Sequence, residues 1–143
     1  MKENKNMRKI KLKKIKKFKG APLFLTNIRA GFQNLIEDTV EKRISLDKHF
    51  EITSPSTFIF HVSGDSMVDI GIYEGDLAIV KKTNDIKNND IVIADVDGFY
   101  TIKTYRKKGD EIWLEGANSL YKKIKPKFKL EIFGKVIGIT RKF

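Results

Sequence analysis

From Leu77 onward the chain is a succession of short runs rich in β-branched and aromatic residues, each ended by turn chemistry. The runs are Leu77–Val80, Ile91–Val96, Phe99–Tyr105, Glu111–Glu115 and Phe133–Thr140. The breaks at Lys87-Asn88-Asn89-Asp90, Asp97-Gly98, Lys108-Gly109-Asp110 and Asn118-Ser119 hold residues that tolerate left-handed backbone or bond their own main chain. Such runs suit strands and are too short for stable helices, so the pattern predicts a mainly β chain with little helix. Upstream, Thr57–Val62 reads as another strand and Leu46–Pro55 as a connector. Leu35, Ile36, Thr39 and Val40 recur at helical spacing and predict a short amphipathic helix over Gln33–Arg43. A length of 143 residues supports one domain with a moderate core.

Charge divides the chain unevenly. Residues 1–19 carry ten Lys/Arg and one acid, whereas the other 124 residues have a net charge of only +2. So dense a run of like charge predicts a flexible N-terminal arm, closed off by Gly20-Ala21-Pro22. Lys11, Lys13, Lys14, Lys16 and Lys17 are its candidate nucleic-acid contacts, since a lysine that neutralises a phosphate releases a counterion. A solubilising tail explains the same residues equally well. In the second basic stretch, Lys122–Lys129, alternation would align Lys123, Lys125, Lys127 and Lys129 on one face for phosphate, but a solvated edge strand guarded by lysines is the stronger reading.

Other function classes are disfavoured. No apolar run reaches the ~20 residues that span a bilayer, and the basic N-terminus lacks the apolar core of a signal peptide. A cytoplasmic protein without membrane contact is expected. With no cysteine there is neither a disulfide framework nor a thiolate metal site. His49 and His61 are the only imidazoles, so no metal or other cofactor is expected.

The candidate chemistry lies in Phe60–Val80, FHVSGDSMVDIGIYEGDLAIV, read with Tyr100–Thr104. Ser66 sits in a turn between Asp65 and Met67, and Lys103 interrupts a strand-like run thirty-seven residues later. A serine hydroxyl needs an adjacent base, and a lysine amine can serve when neutral. Neutrality near pH 7 requires the lysine pKa to fall from about 10.4 by roughly three units, about 4 kcal/mol, and burial is the usual cause. On an extended strand Phe99, Thr101, Lys103 and Tyr105 share a face, which would set the amine among rings and beside a hydroxyl that orients it. Taken singly, a turn serine and a strand lysine are ordinary surface residues. His61, five residues before Ser66, leaves a Ser-His-Asp arrangement open.

The run Val62-Ser63-Gly64-Asp65-Ser66-Met67, with Asp69-Ile70-Gly71-Ile72 and Glu74-Gly75-Asp76-Leu77-Ala78-Ile79-Val80, resembles the nucleophile region of LexA-type self-cleaving proteins. It looks most like the UmuD branch. Asp95-Val96-Asp97-Gly98-Phe99-Tyr100-Thr101-Ile102-Lys103 resembles the family's strand that carries the lysine base. The likeness extends over roughly Phe24–Ile139. It implies a LexA/UmuD C-terminal-domain-like fold of short, strongly bent sheets, with Ser66 as nucleophile and Lys103 as base. Thr101, Asp65 and Met67 would support them.

It also implies a scissile bond at Ala30-Gly31, with alanine on the acyl side as in LexA, where the UmuD pattern has cysteine. Residues 1–30 would then be an arm removed by self-cleavage and 31–143 a serine peptidase domain. The implied partners are a RecA filament on single-stranded DNA as trigger, a second copy in a homodimer, and a UmuC-type lesion-bypass polymerase in SOS mutagenesis. Cleavage after Ala30 would release a fragment of net charge +10 and leave +1 behind. Three other readings stand beside this one. One is a LexA-type or phage regulator lacking a DNA-binding domain, since the thirty residues before Gly31 do not suggest the helix-turn-helix that a repressor would carry. The others are a non-enzymatic β module that binds nucleic acid through its tail, and a protease acting on other proteins.

Overall fold

In a computed structural model the protein is described over residues 20–24, 40–120 and 130–143. Two compact units divide near Leu46. In the first, β1 (Ala21–Phe24) pairs antiparallel with β2 (Val40–Ile44). Both strands depart from the sequence expectations. Gly20-Ala21-Pro22 is not simple punctuation, because Ala21 opens a strand inside the expected arm. Val40–Arg43, assigned to a helix by spacing, is extended, and the rest of that predicted helix lies outside the described residues. Antiparallel pairing with β1 holds Val40–Ile44 extended.

The second unit holds a short helix, α1 (Leu46–His49), and β3 (Thr57–His61), β4 (Leu77–Lys81), β5 (Ile91–Val96), β6 (Phe99–Lys108), β7 (Glu111–Glu115) and β8 (Leu130–Thr140). The last six form one antiparallel sheet in the order β3-β4-β8-β5-β6-β7. The mainly β class expected from the turn punctuation is the one observed. Register slips at Ile79/Val80 and Ile93/Ala94 put irregularities on both sides of β8, and such bulges bend and twist a sheet.

The central strands read as nearly continuous apolar runs because both of their faces are covered. Ile93 belongs to a cluster with Val62, Met67, Ile72, Ala78, Val80 and Val136. Its neighbours Val92 and Ala94 join Tyr105 and Leu114 in a second cluster, as the period of two requires. β8 approaches β4 so closely at Gly134 that an added Cβ would lie 2.4 Å from the Lys81 carbonyl oxygen, which explains glycine there. Among the described residues no helix is long and apolar enough to cross a membrane.

Candidate active site

Ser66 lies on the loop that leaves β3, just before a single 3₁₀ turn, Val68–Ile70. The loop is closed at its base, where the Val62 N–H donates to the Asp76 carbonyl at 2.9 Å and the Gly75 N–H to the Val62 carbonyl at 2.9 Å. Gly64 has φ of +83°, a left-handed turn that glycine adopts without strain. Met67, 2 % exposed, is the apolar anchor that holds the loop to the core while leaving the preceding hydroxyl half-buried. The Asp65 side chain is exposed, but its carbonyl accepts the Val68 N–H and the Asn118 side-chain amide.

Lys103 comes from the middle of β6 and is only 6 % exposed. Its Nζ lies 2.8 Å from Ser66 Oγ, 3.0 Å from Thr101 Oγ1 and 3.0 Å from the Ile102 carbonyl oxygen. A neutral amine has two hydrogens and one lone pair. The hydrogens suit Thr101 and Ile102, and the lone pair then faces the serine hydroxyl. Burial holds the amine below its ordinary pKa of 10.5, because desolvation disfavours the charged form.

These groups border a cavity of about 280 Å³ whose walls include Phe60, Ile93, Tyr100 and Ile102. The rings on the cavity wall are Phe60 and Tyr100, and the expected Phe99 and Tyr105 are not among its lining residues. Phe99 is 77 % exposed, and Tyr105 packs in the second core cluster. Phe60 and Tyr100 form an aromatic wall of the serine cavity, making edge-on contact with each other and, away from the cavity, with Phe133. His61 lines the same cavity from the end of β3, but among the described residues the group that reaches Ser66 is the amine of Lys103.

Two elements of the site escaped sequence reasoning. Asp76, 1 % exposed, accepts the Tyr73 N–H and both arms of Arg141, with Nε to Oδ1 and Nη2 to Oδ2 each 2.7 Å. The Arg141 hydrogen bonds outweigh desolvation and hold the Asp76 carboxyl below its ordinary range. Arg141 also donates to the Gly71 carbonyl and stacks over Tyr73, tying the serine loop to the end of β8. The second element is Asn118. Neither pairing carried a signal, since partners 65 and 53 residues apart have no local pattern. Ala30, Gly31 and Lys11, Lys13, Lys14, Lys16 and Lys17 lie outside the described residues. Among the described residues no group of three or more His, Asp or Glu is placed to hold a metal ion.

A mainly β domain with a serine and a buried lysine in contact defines a class, and comparison with known proteins identifies it. The sequence profile of the Peptidase S24-like family matches residues 22–137, and the chain belongs to that family, the LexA/UmuD group. Similar relatives include the LexA repressor of Leptospira biflexa, 40% identical over 122 residues, covering 85% of this chain and 59% of the relative. LexA repressor 2 of Nocardia farcinica is 38% identical over 118 residues, covering 82% and 48%. The LexA repressor of Clostridium acetobutylicum is 35% identical over 116 residues, covering 81% and 56%. The chain thus spans roughly half to three-fifths of the length of these relatives.

Proposed function

We propose that this protein is a self-cleaving serine endopeptidase in which Ser66 is the nucleophile, Lys103 the general base and Ala30-Gly31 the scissile bond. The observation that carries the reading is the 2.8 Å contact between Ser66 Oγ and a lysine amine that burial keeps less basic than usual. Neutral Lys103 takes the serine proton as Oγ attacks the Ala30 carbonyl carbon. The oxyanion is met by backbone N–H groups at Asp65 and Ser66. As the intermediate collapses, the C–N bond breaks and the ammonium of Lys103 returns its proton to the Gly31 nitrogen. The Ala30 ester on Ser66 is then hydrolysed by water, with Lys103 again as base. Thr101 holds the amine, and Met67 anchors the loop.

The aromatic wall of Phe60 and Tyr100 suits apolar residues beside Ala30, such as Ile28. The target bond is presented by the same chain or by a second copy in a homodimer, so the effective concentration is high and presentation is the point of control. A RecA filament on single-stranded DNA is the proposed trigger, as in the SOS response. Intact mass after incubation at neutral and alkaline pH tests this, with Ser66→Ala expected to remain whole.

Two roles for the self-cleaving protein follow. The first is a UmuD-like one, in which the homodimer joins a UmuC-type polymerase in translesion synthesis. The second is a LexA-type regulator, favoured by the naming of these relatives as LexA repressors. Binding of processed protein to a UmuC-type polymerase supports the first, whereas operator binding that cleavage abolishes supports the second. In either role the arm's lysines contact nucleic acid, and removing the +10 fragment releases that contact. Equal DNA affinity of intact and processed protein at low salt is the result that contradicts this last point.

A further inference from the structure

We infer that Asn118 is a positioning residue for this reaction, one that aims the backbone N–H of Ser66 at the developing oxyanion. The inference rests on the proposed self-cleavage and extends it to a residue in the segment after β7. Asn118 Nδ2 donates to the Asp65 carbonyl oxygen at 2.9 Å, and its Oδ1 accepts the Leu120 N–H at 3.0 Å. The two contacts fix the amide's orientation, because the Leu120 N–H can only donate and the Asp65 carbonyl can only accept.

The Asp65 carbonyl and the Ser66 N–H belong to one planar trans peptide, so they point in opposite directions. Holding the carbonyl toward Asn118 therefore turns the N–H away from it and fixes the donor before substrate arrives. A second contact keeps the two segments in register: the Asp69 N–H donates to the Ala117 carbonyl at 2.8 Å, while Ala117 packs against the core cluster containing Met67. The Val68 N–H reaches the same Asp65 carbonyl at 3.3 Å, a longer contact made from within the loop itself. Asn118 thus ties this peptide from outside the loop. Lys103 is held separately, by Thr101 and the Ile102 carbonyl, so the donor and the base are set by different parts of the chain.

The test compares Asn118→Ala and Asn118→Asp with the wild-type full chain, following first-order self-cleavage by intact mass across an alkaline pH series. Asn118→Asp keeps an oxygen for the Leu120 N–H, so a residue needed only for the turn would leave that variant at the wild-type rate. It also sets a carboxylate oxygen against the Asp65 carbonyl, which repels the peptide from its observed orientation. Loss of an oxyanion donor lowers rates by about 10²–10³-fold, and misaiming one is expected to lower the plateau rate by about 10–100-fold in both variants. The pH midpoint, which reports the amine, stays at the wild-type value in the neutral variant Asn118→Ala.

A plateau within twofold of wild type in Asn118→Asp overturns the inference. So does a midpoint that moves together with the rate in the neutral variant Asn118→Ala, since the loop would then have shifted Ser66 away from Lys103. Absence of cleavage in the wild type at every pH, with or without RecA filaments on single-stranded DNA, overturns the underlying reading and this inference with it.

Discussion

Raising the pH deprotonates Lys103 and should by itself drive self-cleavage. An ordinary lysine, with a pKa of about 10.4, is neutral in only about one molecule in a thousand at pH 7.5. A rate proportional to the neutral fraction climbs about tenfold per pH unit until the amine's own pKa, then levels off. Burial of Lys103, 6 % exposed, lowers that pKa, so the plateau should arrive below the ordinary 10.5. Lys103→Arg supplies the contrast. Its guanidinium keeps donors for Thr101 and Ile102 but cannot become neutral. Loss of a general base lowers a rate by about 10²–10⁴-fold, roughly 3–5 kcal/mol of barrier. Rates are read as the decay of the intact mass in a pH series. The reasoning is refuted by a wild-type rate that does not change between about pH 6 and 9, by a rise that continues undiminished past 10.5, or by wild-type activity in Lys103→Arg.

Three further outcomes follow from the packing. Because its folded pKa is lowered, Lys103 penalises the fold fully below that pKa, and the penalty disappears as pH rises to the unfolded value near 10.5. The melting temperature of wild type should therefore rise relative to Lys103→Met over that window, and a constant difference contradicts it. Asp76 has the opposite sign. Its lowered pKa contributes stability above 3.8 that is lost as pH falls through the folded value, so Arg141→Met should shift acid unfolding to higher pH in a circular-dichroism titration. Met67→Ala should destabilise the domain by about 2–5 kcal/mol in urea unfolding, as large-to-small core changes do, and should slow cleavage through its neighbour Ser66.

Much of the β unit was legible because its strands obey local rules. Ile91–Val96 and Glu111–Glu115 match their sequence bounds, while β6 and β8 run longer than read, to Lys108 and from Leu130. Lys107 and Lys108 are exposed and lack an apolar pattern, yet they stay extended by pairing with Ile112 and Glu111 of β7. The helical spacing over Gln33–Arg43 misled at Val40–Arg43, where pairing with β1 overrides an i, i+4 pattern only a few residues long. At the site, resemblance singled out Ser66, Lys103 and Thr101, and the fold brings them within hydrogen-bonding distance. Composition could not find Asp76–Arg141 or Asn118, since their roles arise from tertiary closure of the serine loop. The rings that line the cavity escaped notice for the same reason. It is Tyr100, one residue after Phe99, that meets Phe60 beside the cavity.

The central claim is tested most directly by sequencing the products. Wild type, Ser66→Ala and Lys103→Ala are incubated at alkaline pH and in parallel with RecA filaments on single-stranded DNA, and intact masses and new N-termini are determined. The account predicts a fragment beginning at Gly31 in the wild type alone, with both variants whole under either condition. A Gly31 N-terminus from Ser66→Ala, or a wild type that remains intact under both conditions, would contradict it.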